Sequence, residues 1–312
     1  MPFCLAPVRD VRSAAAPASA VACRCCPGGI SRSTRARRYP SDMSEAEWAI
    51  CEPALPAPAW RAGRGCRPAA HCMRDIVDAI RYLTHNGPVW RALPAGFPPA
   101  GTVYWWMDKW QRDGSAQHLH DDLRERVRLA AGRQAAPTAA VIGSQPVKGP
   151  EMIARARRGY DAGKKISGTT RHLAVDAAGL LLPVLVTAAC VQDRDAARPL
   201  LWNPRRAVPA IRLAWADGGY AGKLIPWART WLRPKLKLEI VRRPDDLHTF
   251  QVLPRRWVVE RTLAWITRHR RTARDYERQP GPHETCIYWP MIIVMTRRPA
   301  RQPATVQPQA TY

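Results

Sequence analysis

The apolar residues of this chain change their spacing near residue 138, and that change limits the folds open to it. Before it, apolar side chains recur every three or four residues, as at Trp48, Cys51 and Leu55, which is typical of helices with one buried face. After it come short runs typical of strands, at 139–142, 172–175, 180–187, 213–216 and 238–241. We therefore predict an α/β chain in which a small helical part precedes a mixed sheet with covering helices.

Four helices are predicted in the first part. Ser44 and Glu47 form a capping-box pattern, in which the Ser44 hydroxyl meets the Glu47 amide and Glu47 reaches back to the cap. A second helix is predicted over 75–85, a third begins at Thr102, and a fourth carries Leu119 and its apolar neighbours.

The resulting division of the chain has five parts. Residues 1–38 lack any period and are expected to be disordered or to follow from a mistaken start codon. The other parts are a helical domain, an Ala- and Pro-rich linker, an α/β domain and a disordered tail, at 39–130, 131–138, 139–298 and 299–312.

The charge of the chain favours a nucleic-acid partner. It carries 49 Lys and Arg residues against 25 Asp and Glu residues, a formal net charge of +24. A GC-rich coding sequence would also raise the arginine content, but it would not lower the number of acids. In the helical part, Arg64 and Arg67 belong to a basic set that fits a helix-turn-helix type of DNA contact. A helical dimerisation module with solvated arginines is the alternative.

The cysteines and the hydropathy favour an intracellular protein. Nine cysteines are present, and Cys23, Cys25 and Cys26 are followed by no matched second pair, so we expect thiols in a reducing cytosol rather than a metal site. No apolar stretch reaches membrane-spanning length. We expect a cytoplasmic location without membrane partners.

The run 257–266 places one carboxylate on an otherwise basic helix surface. At the helical period, Val259, Leu263 and Ile266 form an apolar stripe, while Glu260 shares another face with Arg256 and Arg271. An Arg256–Glu260 ion pair one turn apart is the simplest explanation. A metal-binding glutamate beside phosphate-binding arginines is the alternative, since phosphoryl transfer uses both.

Asp217 is the second candidate acid. It follows the run 211–216 and precedes Gly218 and Gly219, so its carboxylate would project from a strand end into an open turn. A lone Asp before two glycines is usually turn chemistry. Together with Glu260, however, it could contribute to a site for paired divalent ions, and oxygen ligands of this kind suit Mg²⁺.

Several blocks of the sequence resemble the insertion-sequence transposases of the IS5 group, within the IS4-like DDE superfamily. The matching blocks lie at 39–43, 79–83, 90–94, 158–165, 191–195, 215–223 and 254–262. The resemblance implies a ribonuclease-H-like catalytic domain behind a helical DNA-binding domain. It also implies Mg²⁺-dependent cutting and joining of DNA at terminal inverted repeats, in a bacterial cell on the nucleoid, by a homo-oligomer assembled on double-stranded DNA.

The same resemblance assigns the acidic residues and exposes a gap among them. Asp217 matches the second catalytic aspartate of the family, and Glu260 matches its catalytic glutamate; both are therefore the expected metal ligands. The first aspartate should follow Val141 and Ile142, where this chain has Gly143. Because glycine offers no side-chain ligand, we expect impaired catalysis.

Two functions follow as hypotheses. The first is an insertion-sequence transposase whose chemistry is impaired. The second is a non-catalytic repressor or a dominant-negative derivative of a transposase. A third possibility, the product of a decaying gene, would have neither function. The expected phosphate contacts outside the helical part are Arg255, Arg256, Lys164, Lys165 and Arg271.

Overall fold

The computed structural model describes residues 23, 24, 26, 33, 35–57, 68–149, 154, 157–232, 235–241 and 255–300. The helices among them are α1 (Glu45–Cys51), α2 (Met73–Asn86), α3 (Ala100–Arg112), α4 (Ser115–Ala130), α5 (Asp193–Ala207), α6 (Leu224–Trp231), α7 (Trp257–Thr267) and α8 (Pro280–Ala300). The strands are β1 (Ala139–Lys148), β2 (Gly159–Asp161), β3 (Ile166–Asp176), β4 (Leu181–Ala188), β5 (Leu213–Ala216) and β6 (Lys237–Ile240). None of the helices in these ranges is long and apolar enough to cross a membrane.

The strands form one mixed sheet. Its central order is β3-β1-β5-β6, and β2 and β4 pair with successive stretches along the other edge of β3. β1 runs antiparallel to β3 and parallel to β5, which in turn runs parallel to β6. Helices cover both faces, since the sheet contributes to two separate apolar cores. The predicted fold class, a ribonuclease-H-like mixed sheet behind a helical N-terminal part, is confirmed.

The strand bounds differ from the sequence pattern in two places. β1 extends to Lys148, six residues beyond the apolar run. Pairing with β3 continues along this mostly polar second half and keeps it in the strand. β2 has only three residues and no apolar alternation, so its pairing with β3 could not be predicted from pattern. β3 and β4 form an antiparallel hairpin, and Gly179 takes a φ of +79° at its turn.

The first helix begins as predicted but uses its glutamate differently. The Ser44 hydroxyl accepts a hydrogen bond from the Glu47 amide at 3.1 Å. The Glu47 carboxylate binds the buried guanidinium of Arg81 at 2.6 Å. Arg81 also donates to the Ser41 carbonyl and to the Thr296 hydroxyl. A single buried cation therefore joins α1, α2 and α8, because each of its three nitrogens donates to a different one of these partners.

The helical part and one face of the sheet share a single apolar core. Its buried members include Ile76, Leu119, Val141, Val259 and Ile292, which come from both sides of the 131–138 segment. The buried residues of α8 lie within 283–296. The helix continues through Pro290, although an internal proline costs a helix roughly 3 kcal/mol. Burial of this helix on almost every side offsets that cost.

Several described residues between 23 and 38, a stretch expected to be disordered, pack on the helical part. Arg35 donates to both oxygens of Asp42 and to Asp78 at about 3 Å. Cys23 and Cys26 are buried in the shared core. This arrangement differs from the expectation because the partners of these residues lie 7 to 49 positions away in sequence, where local patterns carry no information.

We expect acid to destabilise the fold through His269. Burial, together with His85 and nearby arginines, lowers the pKa of His269 to about 4. The unfolded chain binds this proton near pH 6.5, so stability is complete above that pH and is lost as the pH falls from about 6.5 toward 4. The lowered pKa of His269 accounts for a loss of about 2 kcal/mol in the free energy of unfolding at pH 5.

Urea unfolding of the wild-type protein and of His269→Leu between pH 7 and 5 measures that loss. The variant should lose less stability over this range than the wild type. His118→Leu, at an exposed position on α4, serves as the control. Parallel pH profiles for wild type and His269→Leu would contradict the assignment.

Candidate functional site

The strand register places Gly143 beside Asp217. In the parallel pair, Val141 lies opposite Trp215. Two residues further along both strands, Gly143 comes opposite Asp217, immediately after β5 ends. Since side chains alternate between the two faces of a strand, these four residues share one face of the sheet. That face is the one covered by α7.

α7 brings Glu260 over the same place. As predicted, Val259, Leu263 and Ile266 are buried toward the sheet, and Glu260 is exposed. A Cβ built on Gly143 would lie 2.9 and 3.0 Å from the two methyl groups of Val259. The absence of a side chain at residue 143 therefore lets the first turn of α7 lie directly on β1.

Arg256 links the two acids. Its Nε lies 3.2 Å from Glu260 Oε1, and its Nη2 lies 4.0 Å from Asp217 Oδ2. The predicted Arg256–Glu260 pair is thus present, and it reaches the strand-end aspartate as well. Because the guanidinium is 38% exposed and Glu260 is 53% exposed, the pair adds little to stability. Its main effect is on the local charge, because the positive guanidinium of Arg256 partly offsets the negative charges of Asp217 and Glu260.

The residues that follow Glu260 attach α7 to the β3–β4 turn. Arg261 donates to the Ala178 carbonyl at 2.8 Å, with its guanidinium packed over the rings of Trp257 and Trp265. Thr262 donates to the Gly179 carbonyl at 2.7 Å. These bonds fix the rotation of α7 about its axis. Glu260 is thereby held on the outward face beside Asp217.

Sequence reasoning did not include a third carboxylate, Asp193, among the site residues. Asp217 accepts a hydrogen bond from the Gly219 amide at 2.9 Å. A Cβ on Gly219 would lie 3.1 Å from Asp217 Oδ1 and 3.8 Å from Asp193 Oδ2, so both carboxylates border the same turn. The available signal was the position of Asp193 at the start of α5, within the block 191–195 that carries the family resemblance.

His172 lies behind Asp193. Its Nδ1 is 3.6 Å from Asp193 Oδ1, and its Nε2 bonds to the Thr187 hydroxyl at 2.9 Å. Burial lowers the pKa of His172 to about 4, with Asp193 opposing the shift and Lys164 adding to it. The neutral ring therefore does not cancel the charge of Asp193 at neutral pH.

Asp176, the nearest acid to Gly143 along the second predicted strand, is used elsewhere. It is fully buried, pairs with Arg128, and accepts hydrogen bonds from the Ala178 and Leu180 amides. Its strand partner is Ala140, three residues before Gly143. This carboxylate caps the β3–β4 turn and does not reach the site.

The basic residues predicted to bind DNA fall into three groups. Arg255 lies next to the site, with its guanidinium 4.5 Å from the Trp215 ring, and Lys164 and Lys165 lie exposed between β2 and β3. Arg271 lies beyond the end of α7, bonds to Glu277 and is largely buried, so it does not share the face of Glu260 as the helical period had suggested. Arg64 and Arg67 lie outside the described residues.

Asp217 and Glu260 both contact Arg256, and among the described residues neither belongs to a group of three ligand side chains that could hold a metal ion. A pair of ions about 4 Å apart needs carboxylates on both sides to bridge and balance them. β1 offers none at residue 143, and Arg256 occupies the space between the other two. The donors at this point therefore do not fit a two-ion site, although Asp193 lies nearby.

Comparison with known proteins finds similarity to transposases over most of the described chain. Residues 135–293, about half of the chain, match the family described as "Transposase DDE domain". Residues 43–120 match the family described as "Putative transposase of IS4/5 family". A protein of Burkholderia cepacia described as "Putative transposase for insertion sequence element IS402" is 29% identical over 150 residues, which is 45% of this chain and 64% of that protein. No solved structure matches significantly.

We expect Gly143→Ala to destabilise the protein by about 1–3 kcal/mol, because its Cβ would overlap the Val259 methyl groups. Val259→Ala removes those methyl groups, so the two substitutions should be coupled. Chemical denaturation of both single variants and the double variant measures the coupling. Gly101→Ala, where a Cβ meets nothing within 4 Å, is the control. Strictly additive effects would contradict the contact between β1 and α7.

Proposed function

The chain belongs to the DDE transposase family of insertion sequences, and from that premise we propose that it binds the terminal inverted repeats of its element while its own cutting and joining chemistry is impaired. Proteins of this family cleave and transfer DNA strands with divalent metal ions. The observation that carries the proposal is the contact of Arg256 with both Asp217 and Glu260, together with the lack of a carboxylate at Gly143 on the strand below α7.

The impairment follows from the ligands. Carboxylate oxygens favour Mg²⁺, and we propose this ion for the family's chemistry here. With Gly143 at the first position, one ligand carboxylate is missing, and Arg256 competes with any cation for the remaining two. Catalysis by positioning tolerates little displacement, so weaker or misplaced ions would cost much of the rate.

DNA binding does not depend on that chemistry. Arg255 is held between Trp215 and Glu239, with 59% of its side chain exposed, and Lys164 is 49% exposed. Arg255 is the chain neighbour of Arg256, and Lys164 lies near His172, which is beside Asp193. Exposed positive charges of this kind are expected for contacts to DNA phosphates. Lys165 and Arg256 would extend the same surface.

A second function, that of a non-catalytic repressor or dominant-negative partner of active copies, is favoured by the Arg256 contacts. A guanidinium close to both acids makes this face less repulsive to phosphate than a bare carboxylate cluster would be. In that case, the acids would serve to position Arg256. Binding to DNA ends would then be the whole activity.

We expect the full chain to bind a duplex that carries the element's inverted repeat more tightly than a scrambled duplex. Arg255→Ala and Lys164→Ala should weaken both complexes equally and should each reduce the salt slope by about 1. Fluorescence anisotropy at several salt concentrations measures this. Arg212→Ala, at an exposed position just before β5 and at the opposite end of that strand from Asp217, is the control. Equal affinity for both duplexes would refute end recognition.

We expect poor Mg²⁺-dependent cleavage of the same duplex by the unmodified protein. Gly143→Asp combined with Val259→Ala restores the carboxylate and makes room for it, and should raise the cleavage rate on the order of 100-fold. Gly143→Asn with Val259→Ala matches its size without the charge. Efficient cleavage by the wild type would refute the impairment. A folded aspartate double variant no faster than the asparagine one would refute Gly143 as its cause.

A further inference from the structure

A second group of metal-ligand side chains lies in the helical part, away from the acids. Cys23, Cys26 and Cys72 meet there, with their three sulfur atoms all within 4.8 Å of one another. We propose that these cysteines bind one Zn²⁺ ion as thiolates and that the ion fastens the segment around residues 23–26 to the start of α2. This site is independent of the proposed DNA chemistry.

The spacing of the sulfur atoms fits tetrahedral zinc. Zinc–thiolate bonds are about 2.3 Å long, so two ligands on one tetrahedral ion lie roughly 3.8 Å apart. Cys23 Sγ and Cys72 Sγ are 3.6 Å apart, and Cys26 Sγ lies within the same 4.8 Å limit. A disulfide would need sulfur atoms about 2 Å apart. The sulfur atoms of Cys23 and Cys72 thus lie near the distance that an ion would impose, and that of Cys26 lies close enough to bind the same ion. A water molecule or another side chain would supply the fourth ligand.

The backbone on both sides of the cluster suits thiolate ligands. Cys23 and Cys26 have the C-x-x-C spacing that lets two consecutive turns direct sulfur atoms at one point. Cys72 is the N-cap of the 14-residue helix α2, where the helix dipole favours a negative sulfur. The Arg24 amide between the first two cysteines donates to Glu52 at 2.6 Å, which fixes the short segment against the end of α1.

Ordinary core packing explains this cluster less well. Cysteine is often buried as a small apolar residue, and the three side chains are only 2–3% exposed. Packing alone, however, does not require three thiols to meet one another. Cys51 shows the contrast, because it is fully buried in the same core without joining the cluster. Burial raises the pKa of the Cys51 thiol to about 12, as expected for a thiol that stays protonated.

The sequence contained half of this site. A metal role was not expected, because Cys23, Cys25 and Cys26 were not interpreted as a C-x-x-C pair and no second pair follows them. Cys23 and Cys26 do have that spacing. The third ligand lies 49 residues away from Cys23. Only the packing of Cys23 and Cys26 against the start of α2 brings it close.

The test uses the full chain, expressed in a reducing cytosol and purified with a thiol reductant but without chelators. Inductively coupled plasma and native mass spectrometry should find about one zinc ion per chain. Cys23→Ser, Cys26→Ser and Cys72→Ser should each lower the zinc content several-fold. Cys51→Ser, the matched buried control, should keep it.

A measurement on the wild-type protein covers the case in which a variant fails to fold. Alkylation by iodoacetamide is followed by peptide mass spectrometry, with zinc bound and after its removal by a chelator. Zinc should protect Cys23, Cys26 and Cys72, while the exposed Cys190 reacts equally in both samples. Wild-type protein without zinc, an equal loss of zinc in Cys51→Ser, or zinc-independent alkylation of the three cysteines would each overturn the proposal.

Discussion

The contact between α7 and β1 governs the geometry of the site. Gly143 has no Cβ, and Val259 lies in the space that a side chain would occupy, so the first turn of the helix rests on the strand itself. Arg261 and Thr262 then attach the next turn to the β3–β4 hairpin. With both the depth and the rotation of the helix fixed, Glu260 faces outward beside Asp217. A side chain at residue 143 would change the height of α7 and, with it, the distance between the two acids.

The electrostatics of the site follow from this arrangement. Two carboxylates lie close together in a chain with a formal charge of +24, and Arg256 lies near both. In a metal-dependent nuclease site, ions balance the charge of the acids. Here the guanidinium of Arg256, the N-cap residue of α7, balances part of that charge. It also occupies space that an ion would need. Arg256, which was predicted to contact phosphate, therefore also reduces the repulsion between the two carboxylates.

The helical part and the sheet form one structure rather than two loosely joined ones. α8 packs between them, and the buried guanidinium of Arg81 joins α1, α2 and α8 through Glu47, the Ser41 carbonyl and Thr296. Removing one partner of such a buried pair leaves a charge without compensation. DNA contacts on the helical side would therefore be coupled mechanically to the position of the acids. The proposed zinc site would add a further constraint at the outer edge of the same core.

The sequence by itself predicted most helices and strands in their order, though not β2, and it predicted the apolar face of α7, because these features depend on periods within a few residues. It named Asp217 and Glu260 as candidate acids through the resemblance to a family. It also determined that no carboxylate stands at residue 143. Tertiary structure alone decided that Asp176 is bound to Arg128, that Asp193 borders the turn after Asp217, and that Cys72 lies beside Cys23. These contacts join residues that are distant in the chain, and their formation depends on how the elements pack, which local spacing does not encode.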